Sequence, residues 1–461
     1  MNDNLLTLLT SIVGKENLSV NMADRICYTR DRGPDPGGIP GAIVRPRTTE
    51  DVSNILKAAN QHHTPVFVWS RGTTTEGLGI LDGSIVMDLN GMTLIQKVDE
   101  DAMFVTVQAG AVWQIVDTEM KKHGWKLPIV GPGSLFSSTV GGCIAINSIP
   151  HGVTQLGMTG EHVLSLTVVL PSGTIIKTGS SANPNSIPFE RYCLGPDVTG
   201  LFVGSSGVFG VVTEATLRIV KDTPDEAGYF CYIYDDYRDA IEAAKALQRE
   251  RCTTFIAGLF GAVPGGADAL LHIIVEGEPK RDASKLVEQI CSAKGKPLDP
   301  SNTRRYWTTH MYSWMRGIDP KDYHRDDPYS VFQIVFTVPL ERLGNAVELT
   351  RNYVRDHGEE MERSDVKLRD LDVYFHKGGA FSFFEFWYTE QKKESWDAAL
   401  DIRRKLSEQL FKIGGCALSR GMGSGLAPYI IPKLGSYYDL LKALKKTLDP
   451  NEILNPGIFY L

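Results

Sequence analysis

Ser70-Arg71-Gly72-Thr73-Thr74-Thr75-Glu76-Gly77 comes directly after the apolar run Pro65-Val66-Phe67-Val68-Trp69. The run predicts a buried strand, and the stretch after it a short loop of glycine and hydroxyl residues. Such a loop suits a diphosphate. Small residues let backbone N–H groups approach the phosphate oxygens, threonine hydroxyls add donors, and Arg71 adds positive charge. A Gly/Thr turn after a strand is, on its own, more often only a turn. Its meaning comes from a series of motifs spaced along the next 150 residues.

Pro132-Gly133-Ser134 comes next, then Thr139-Val140-Gly141-Gly142-Cys143-Ile144-Ala145-Ile146-Asn147-Ser148, Gly152 and Leu156-Gly157. Val163–Leu170 leads into Pro171-Ser172-Gly173, and Asp197–Gly210 passes through Gly204-Ser205-Ser206-Gly207 into Val211-Val212-Thr213-Glu214. This order and spacing resembles the FAD-binding domain of the vanillyl-alcohol oxidase/PCMH-type superfamily. Its nearest branch holds FAD-linked D-lactate dehydrogenase and the glycolate oxidase flavoprotein subunit. The resemblance covers about residues 40–220 and returns in the tail Leu448-Asp449-Pro450-Asn451-Glu452-Ile453-Leu454-Asn455-Pro456-Gly457.

The resemblance implies an α+β fold. A PCMH-type FAD-binding domain of two α+β subdomains would be joined to a cap domain with an antiparallel sheet covered by helices. It places residues 1–220 in the FAD-binding domain, 221–410 in the substrate or cap domain, and 411–461 in a segment returning to the FAD domain. By the same resemblance Arg71, Gly72, Thr73, Thr74, Thr75 and Gly77 cradle the diphosphate. Pro132, Ser134, Thr139, Gly141, Gly142, Asn147 and Gly152 run along the diphosphate, ribityl chain and ring. Val211 or Val212 touches the adenosine part through backbone atoms. Several relatives attach the flavin covalently through a His or Cys in the first loop. Ser70–Gly77 holds neither, so non-covalent FAD is expected, and His151 is read as a loop residue, exposed or bonded to backbone.

Composition agrees with an ordinary globular chain. The 461 residues are 42% hydrophobic and 22% charged, too many for one core, so two domains are expected. A net charge of -7 without a basic block argues against nucleic acid or an anionic membrane surface as main partner. No stretch approaches about 18 apolar residues, and the N-terminus reads as an amphipathic helix rather than a signal peptide. Seven scattered cysteines without a CxxC pair disfavour disulfides and iron–sulfur or zinc sites and fit a reducing cytoplasm.

Thr48-Thr49-Glu50-Asp51 reads as a helix start, with Val52, Ile55, Leu56 and Ala59 at helical spacing after it. Gly204–Gly210 has the spacing GxxGxxG with a β-rich run after it, so a Rossmann nicotinamide site is not expected. Beyond about residue 222, helical stretches alternate with strands such as Val331–Val338 and Phe381–Tyr388, an α+β pattern suited to a cap.

The D-lactate dehydrogenase relatives carry His-x-Gly-Asp-Gly-Asn-x-His and a later Glu-His-Gly, which in some of them bind a metal. Here the first motif reads His376-Lys377-Gly378-Gly379-Ala380-Phe381-Ser382-Phe383, and the second Ser419-Arg420-Gly421. One histidine and a distant Glu385 make a poor divalent site, so no metal is expected. Arg420 cannot act as a base and reads as an anion holder for a carboxylate or a phenolate. Arg316, after Trp314, sits where relatives place a carboxylate-binding arginine. Phe381, Phe383, Glu385 and Trp387 share one face of a strand by alternation. Strand core accounts for the aromatics, whereas an acid there is less ordinary. His376 and Glu385 are therefore the candidates for proton abstraction.

The expected activity is FAD-dependent dehydrogenation of a small hydroxylated molecule, a 2-hydroxy acid of the D-lactate or glycolate kind, by hydride transfer to flavin. Oxidation of an aromatic alcohol or phenol is the rival within enzymes, and a flavin electron-relay subunit the rival outside them. The acceptor stays open between oxygen, a quinone, an electron-transfer flavoprotein and an iron–sulfur protein, as does homo-oligomerisation.

Overall fold

Asn2 opens the first helix, Asp3–Val13, its side chain accepting from Asn4 N at 2.9 Å. Leu5, Leu9 and Val13 recur at the interval that stacks side chains on one helix face, and all are buried. They pack on the helix Thr49–Gln61, which begins with a capping box. Asp51 N donates to Thr48 Oγ1 at 3.0 Å and Thr48 N to Asp51 Oδ2 at 3.1 Å. Val52, Ile55, Leu56 and Ala59 join Leu5 and Leu9 in one core, as the spacing predicts.

The computed structural model describes the chain outside residues 32–36, 75–76, 130, 132–133, 135, 223–226, 262, 264–265, 278–279, 308–328 and 419–425. It falls into two units. One comprises Met1–Ile149, Met158–Asp222 and Met422–Leu461, the other Pro150–Gly157 and Thr223–Gly421.

In the first unit, strands β1 (Leu18–Ser19), β2 (Ala42–Val44), β3 (Val66–Trp69) and β4 (Ile85–Asp88) form a sheet ordered β1-β2-β4-β3. The β2–β4 and β3–β4 pairs are parallel, and β3 lies at the edge. A second, antiparallel sheet is ordered β5-β6-β10-β8-β9, from β5 (Ile95–Asp99), β6 (Phe104–Gln108), β8 (Val163–Val169), β9 (Ile175–Lys177) and β10 (Val211–Arg218). Strands β7 (Trp125–Lys126) and β11 (Val220–Lys221) pair separately. Val211 begins a strand rather than a helix, which removes the nucleotide-fingerprint reading of Gly204–Gly210.

The second unit holds one antiparallel sheet ordered β15-β12-β14-β13-β17-β18-β16-β19. Its strands are β12 (Gly228–Tyr234), β13 (Phe255–Phe260), β14 (Ala269–Val275), β15 (Lys296–Leu298), β16 (Tyr329–Pro339), β17 (Val366–His376), β18 (Gly379–Thr389) and β19 (Cys416–Ala417). Helices Tyr237–Glu250, Leu340–Asp356 and Lys393–Lys412 cover one face, packing Leu247, Val347 and Leu406 with Leu271, Val373, Phe384, Phe386 and Tyr388. Phe381 and Phe383 are buried, as strand core implies, but outside this helix-covered cluster. Strand alternation sends the even-numbered residues of β18 to the helices and Phe381, Phe383 and Glu385 to the opposite face. Segment Pro150–Gly157 joins this unit through Thr154, whose hydroxyl donates to Phe375 O at 2.6 Å and accepts from Ile256 N at 2.9 Å.

Candidate active site

In the first unit, β3 delivers the loop that begins at Ser70. Asn90 Nδ2 holds Ser70 O at 2.6 Å, and Gly72 turns the chain at φ +60. A Cβ on Gly72 would come within 2.4 Å of the Trp69 ring, so the turn needs a glycine. Thr73 Oγ1 then lies 3.5 Å from Ser138 Oγ, which also bonds Ser134 Oγ. Opposite, the helix Val140–Ala145 starts at Thr139, and a Cβ on Gly142 would sit 3.5 Å from Ser70 Oγ. Two walls, 70–74 and 134–142, therefore converge on one cluster of hydroxyls.

Their amides play different parts. Val140 N donates to Ala111 O, Gly141 N to Ala109 O and Gly142 N to Thr139 Oγ1, so this helix start spends its donors inside the fold. Among the described residues, nothing pairs with the backbone amides of Gly72, Thr73 and Thr74. The exposed Arg71 adds charge beside them. This set fits a diphosphate, with donors from the first loop and hydroxyls, whereas a Cβ on Gly141 would meet Ala109 at 2.6 Å, so that glycine serves packing inside the fold.

Gly77 N is bonded to Asp31 Oδ2 at 3.0 Å and closes the loop. Asn147 Oδ1 accepts from Gly160 N at 2.9 Å. Val211 and Val212 pair with Val169 and Val168, while the β6 ladder reaches only Glu214, so their other edge carries no strand among the described residues. Gly152 lies in the second unit. Thr75, Pro132, Arg316 and Arg420 lie outside the described residues, as do Gly133 and the stretch from Thr308 through Arg316.

The second unit gathers polar groups on the sheet face away from the helices. Across it, Thr337 pairs with Phe381 and Phe381 with Tyr374; one step on, Phe383 faces Asp372; beyond, Glu385 lies between Gln333 and Asp370. His376 ends β17 at the hairpin turn, its Nε2 3.0 Å from Thr337 Oγ1 and its ring stacked on Phe381 with centroids 3.9 Å apart. Glu385 is buried, accepts from Gln333 Nε2, and lies 3.3 Å from Arg369 Nη1. His376 pairs with Gly379, six residues before Glu385 on β18, so the two candidates stand roughly 20 Å apart. The face places them at opposite ends, where they cannot serve one proton transfer.

Between them lie groups that motif matching did not single out. Burial, with Glu385 and Asp370 close by, pushes the Asp372 carboxyl well above the usual carboxylate range. Burial, with the Asp372 carboxylate close by, likewise raises the Tyr306 phenol. Tyr306 stacks on His272 at 4.1 Å, and burial lowers the His272 imidazole to about 3. The signal was present in Asp370-Leu371-Asp372-Val373-Tyr374-Phe375-His376, whose alternation lines four polar groups on one face. His151 is not exposed. It is buried, with ring centroids 5.6 Å from both Phe255 and Trp307. Among the described residues, no group of three or more His, Cys, Asp or Glu is placed to hold a metal ion, and no helix is long and apolar enough to cross a membrane.

Comparison with known proteins matches residues 40–179 to the family described as FAD binding domain, and residues 233–458 to FAD linked oxidases, C-terminal domain. A probable mitochondrial D-lactate dehydrogenase of Danio rerio is 30% identical over 99% of this chain and 91% of its own. Glycolate oxidase subunit GlcD of Bacillus subtilis is 27% identical, covering 97% and 95%. D-lactate dehydrogenase [cytochrome] 1 of Saccharomyces cerevisiae is also 27% identical, covering 93% and 74%. In fold, p-cresol methylhydroxylase with substrate bound aligns at a TM-score of 0.82 and 16% identity, over 99% of this chain and 96% of that one. The 4-ethylphenol oxidase from Gulosibacter chungangensis aligns at 0.80 and 17%, over 99% and 97%.

Proposed function

The chain belongs to the FAD-linked oxidases, the vanillyl-alcohol oxidase/PCMH-type flavoproteins that its motifs resemble, and from that premise we propose that it dehydrogenates a 2-hydroxy acid. It is an FAD-dependent oxidoreductase of the α+β fold class expected. Bound FAD supplies the two-electron acceptor for the substrate C–H bond. Arg71, Gly72, Thr73 and Thr74 with Ser134 and Ser138 hold the diphosphate, without a covalent link to the chain. The names of the D-lactate and glycolate relatives support the substrate class.

The setting of His376 carries the assignment of the base. Thr337 contacts its imidazole at Nε2 and Phe381 stacks on its plane, so the ring is held in a fixed orientation for taking up the substrate hydroxyl proton. Glu385 is withdrawn from that role, because Arg369 and Gln333 already engage its carboxylate. Arg316 or Arg420 grips the substrate carboxylate. Seven scattered cysteines without a CxxC pair support a reducing, cytoplasmic setting.

A second reading, oxidation of an aromatic alcohol or phenol, draws on the aromatic make-up of the same face, where Phe381, Phe383, Tyr374 and Tyr306 lie near the buried acid. One experiment separates the two. The purified yellow protein is mixed anaerobically with D- and L-lactate, glycolate and 4-alkylphenols while flavin absorbance is monitored. Bleaching by 2-hydroxy acids supports the first reading, bleaching by phenols alone the second, and bleaching by neither removes both.

A further inference from the structure

The edge strand β3, which carries the first wall of the cradle, is completed by the tail of the chain. Val66 N donates to Ile453 O at 2.7 Å and Asn455 N to Val66 O at 2.9 Å. The side chain of Asn455 then works at both ends. Its Oδ1 accepts from Val68 N at 2.9 Å, and its Nδ2 donates to Ser206 O at 2.7 Å. Ser206 N in turn donates to Ala145 O at 2.7 Å, and Gly204 N to Ile144 O at 2.9 Å. Ile144 and Ala145 end the helix Val140–Ala145 of the second wall. One amide thus joins the strand leading to Ser70–Thr74 to the loop that holds the helix of Gly141 and Gly142.

Asn455 is itself locked. It is 1% exposed and sits at φ +44, a conformation asparagine tolerates better than most residues. Just before it, Asp449 accepts from Ile453 N at 3.1 Å and Leu454 N at 2.9 Å. Lys445 Nζ donates to Asp449 Oδ2 at 2.7 Å, Leu454 O at 2.6 Å and Val208 O at 3.1 Å. Both residues of this ion pair are buried, and all their partners lie in the tail or the Ser206–Val208 loop. A buried pair so fully hydrogen-bonded fixes position more than it adds stability.

We propose that Asn455, braced by Lys445 and Asp449, is a positioning residue that sets the spacing of the two walls holding the FAD diphosphate. This rests on the reading of residues 70–74 and 134–142 as that cradle. The geometry demands an amide, one acceptor toward Val68 N and one donor toward Ser206 O. Leucine has the shape and neither function. Aspartate keeps the acceptor but turns a second oxygen on the Ser206 carbonyl, and only its protonated form can donate there.

The test uses the full-length protein stripped of FAD and titrated with FAD by flavin fluorescence quenching. Asn455→Leu is expected to raise the FAD dissociation constant about tenfold or more, from two lost hydrogen bonds. Asn455→Asp is expected to show a defect, relative to wild type at the same pH, that shrinks as pH falls and the new acid is protonated. A purely structural role would lower the melting temperature of the stripped protein without this pH-dependent recovery. Thr73→Val is measured beside them as a cradle control. If Thr73→Val weakens FAD while Asn455→Leu stays within twofold of wild type, the positioning role is overturned and the cradle stands. If Thr73→Val has no effect, the cradle fails and the inference with it. Should Asn455→Leu not fold, Asn455→Asp carries the test alone, and a defect that does not change with pH overturns it.

Discussion

Arg369 holds one end of a buried charge, its Nη1 3.3 Å from Oε2 of Glu385, a side chain only 2% exposed. Gln333 fills the other carboxylate oxygen. Removing the cation leaves the buried Glu385 carboxylate without its counter-charge. Arg369→Met is expected to destabilise the protein by about 2–4 kcal/mol. Glu385→Gln in the same chain should recover most of that loss, since the amide carries no charge. Thermal unfolding of the two single variants and the double variant checks this; equal losses in the Arg369 single and the double variant would show that the pair does not couple.

His376→Gln is expected to lower substrate-driven flavin reduction by about 10²- to 10⁴-fold with flavin content unchanged. Thr337→Val, which removes the contact at Nε2 and keeps the ring, should cost less. Stopped-flow reduction under anaerobic conditions measures both. If Glu385→Gln proves the more damaging to reduction while the protein stays folded, the base lies at the other end of the sheet face.

His272 ties stability to pH. Its Nδ1 meets Thr303 Oγ1 at 2.8 Å, and burial lowers its pKa to about 3. The unfolded chain takes up this proton near pH 6.5 and the folded chain only near pH 3. Stability from this group is therefore full above about pH 6.5 and falls by about 1.4 kcal/mol per unit as pH drops toward 3. His272→Asn keeps a donor toward Thr303 and cannot titrate. Its unfolding free energy should lose about one proton's worth of slope between pH 6 and 4, measured by urea denaturation at several pH values.

Gly72→Ala forces a Cβ into the Trp69 ring and a residue other than glycine to φ +60. The strain, about 1–2 kcal/mol from the backbone alone, falls on the loop assigned to the diphosphate. The variant should purify with a lower flavin-to-protein ratio, read from its visible spectrum, while its circular dichroism matches wild type. A full complement of flavin would remove Gly72 from the cradle.

Much of this protein was legible in the chain because the signals were local. The Thr48–Asp51 capping box, the helical stripe Val52–Ala59 and the apolar strand emptying into Ser70–Thr74 each depend on neighbours within a few residues. The single-face alternation of Phe381, Phe383 and Glu385 was equally plain, because a strand turns its side chains by a fixed period. What that face looks toward was not, since the helices Leu340–Asp356 and Lys393–Lys412 decide which side becomes core. Only strand register could part His376 from Glu385, set Asp372 opposite Phe383, and bring Arg369 to Glu385. Only the folded chain could join Asn455 to Val68, 387 positions away, and to Ser206, 249 positions away. Propensity and period act over one or two turns of chain, whereas pairing and burial between distant segments are chosen by the whole fold at once.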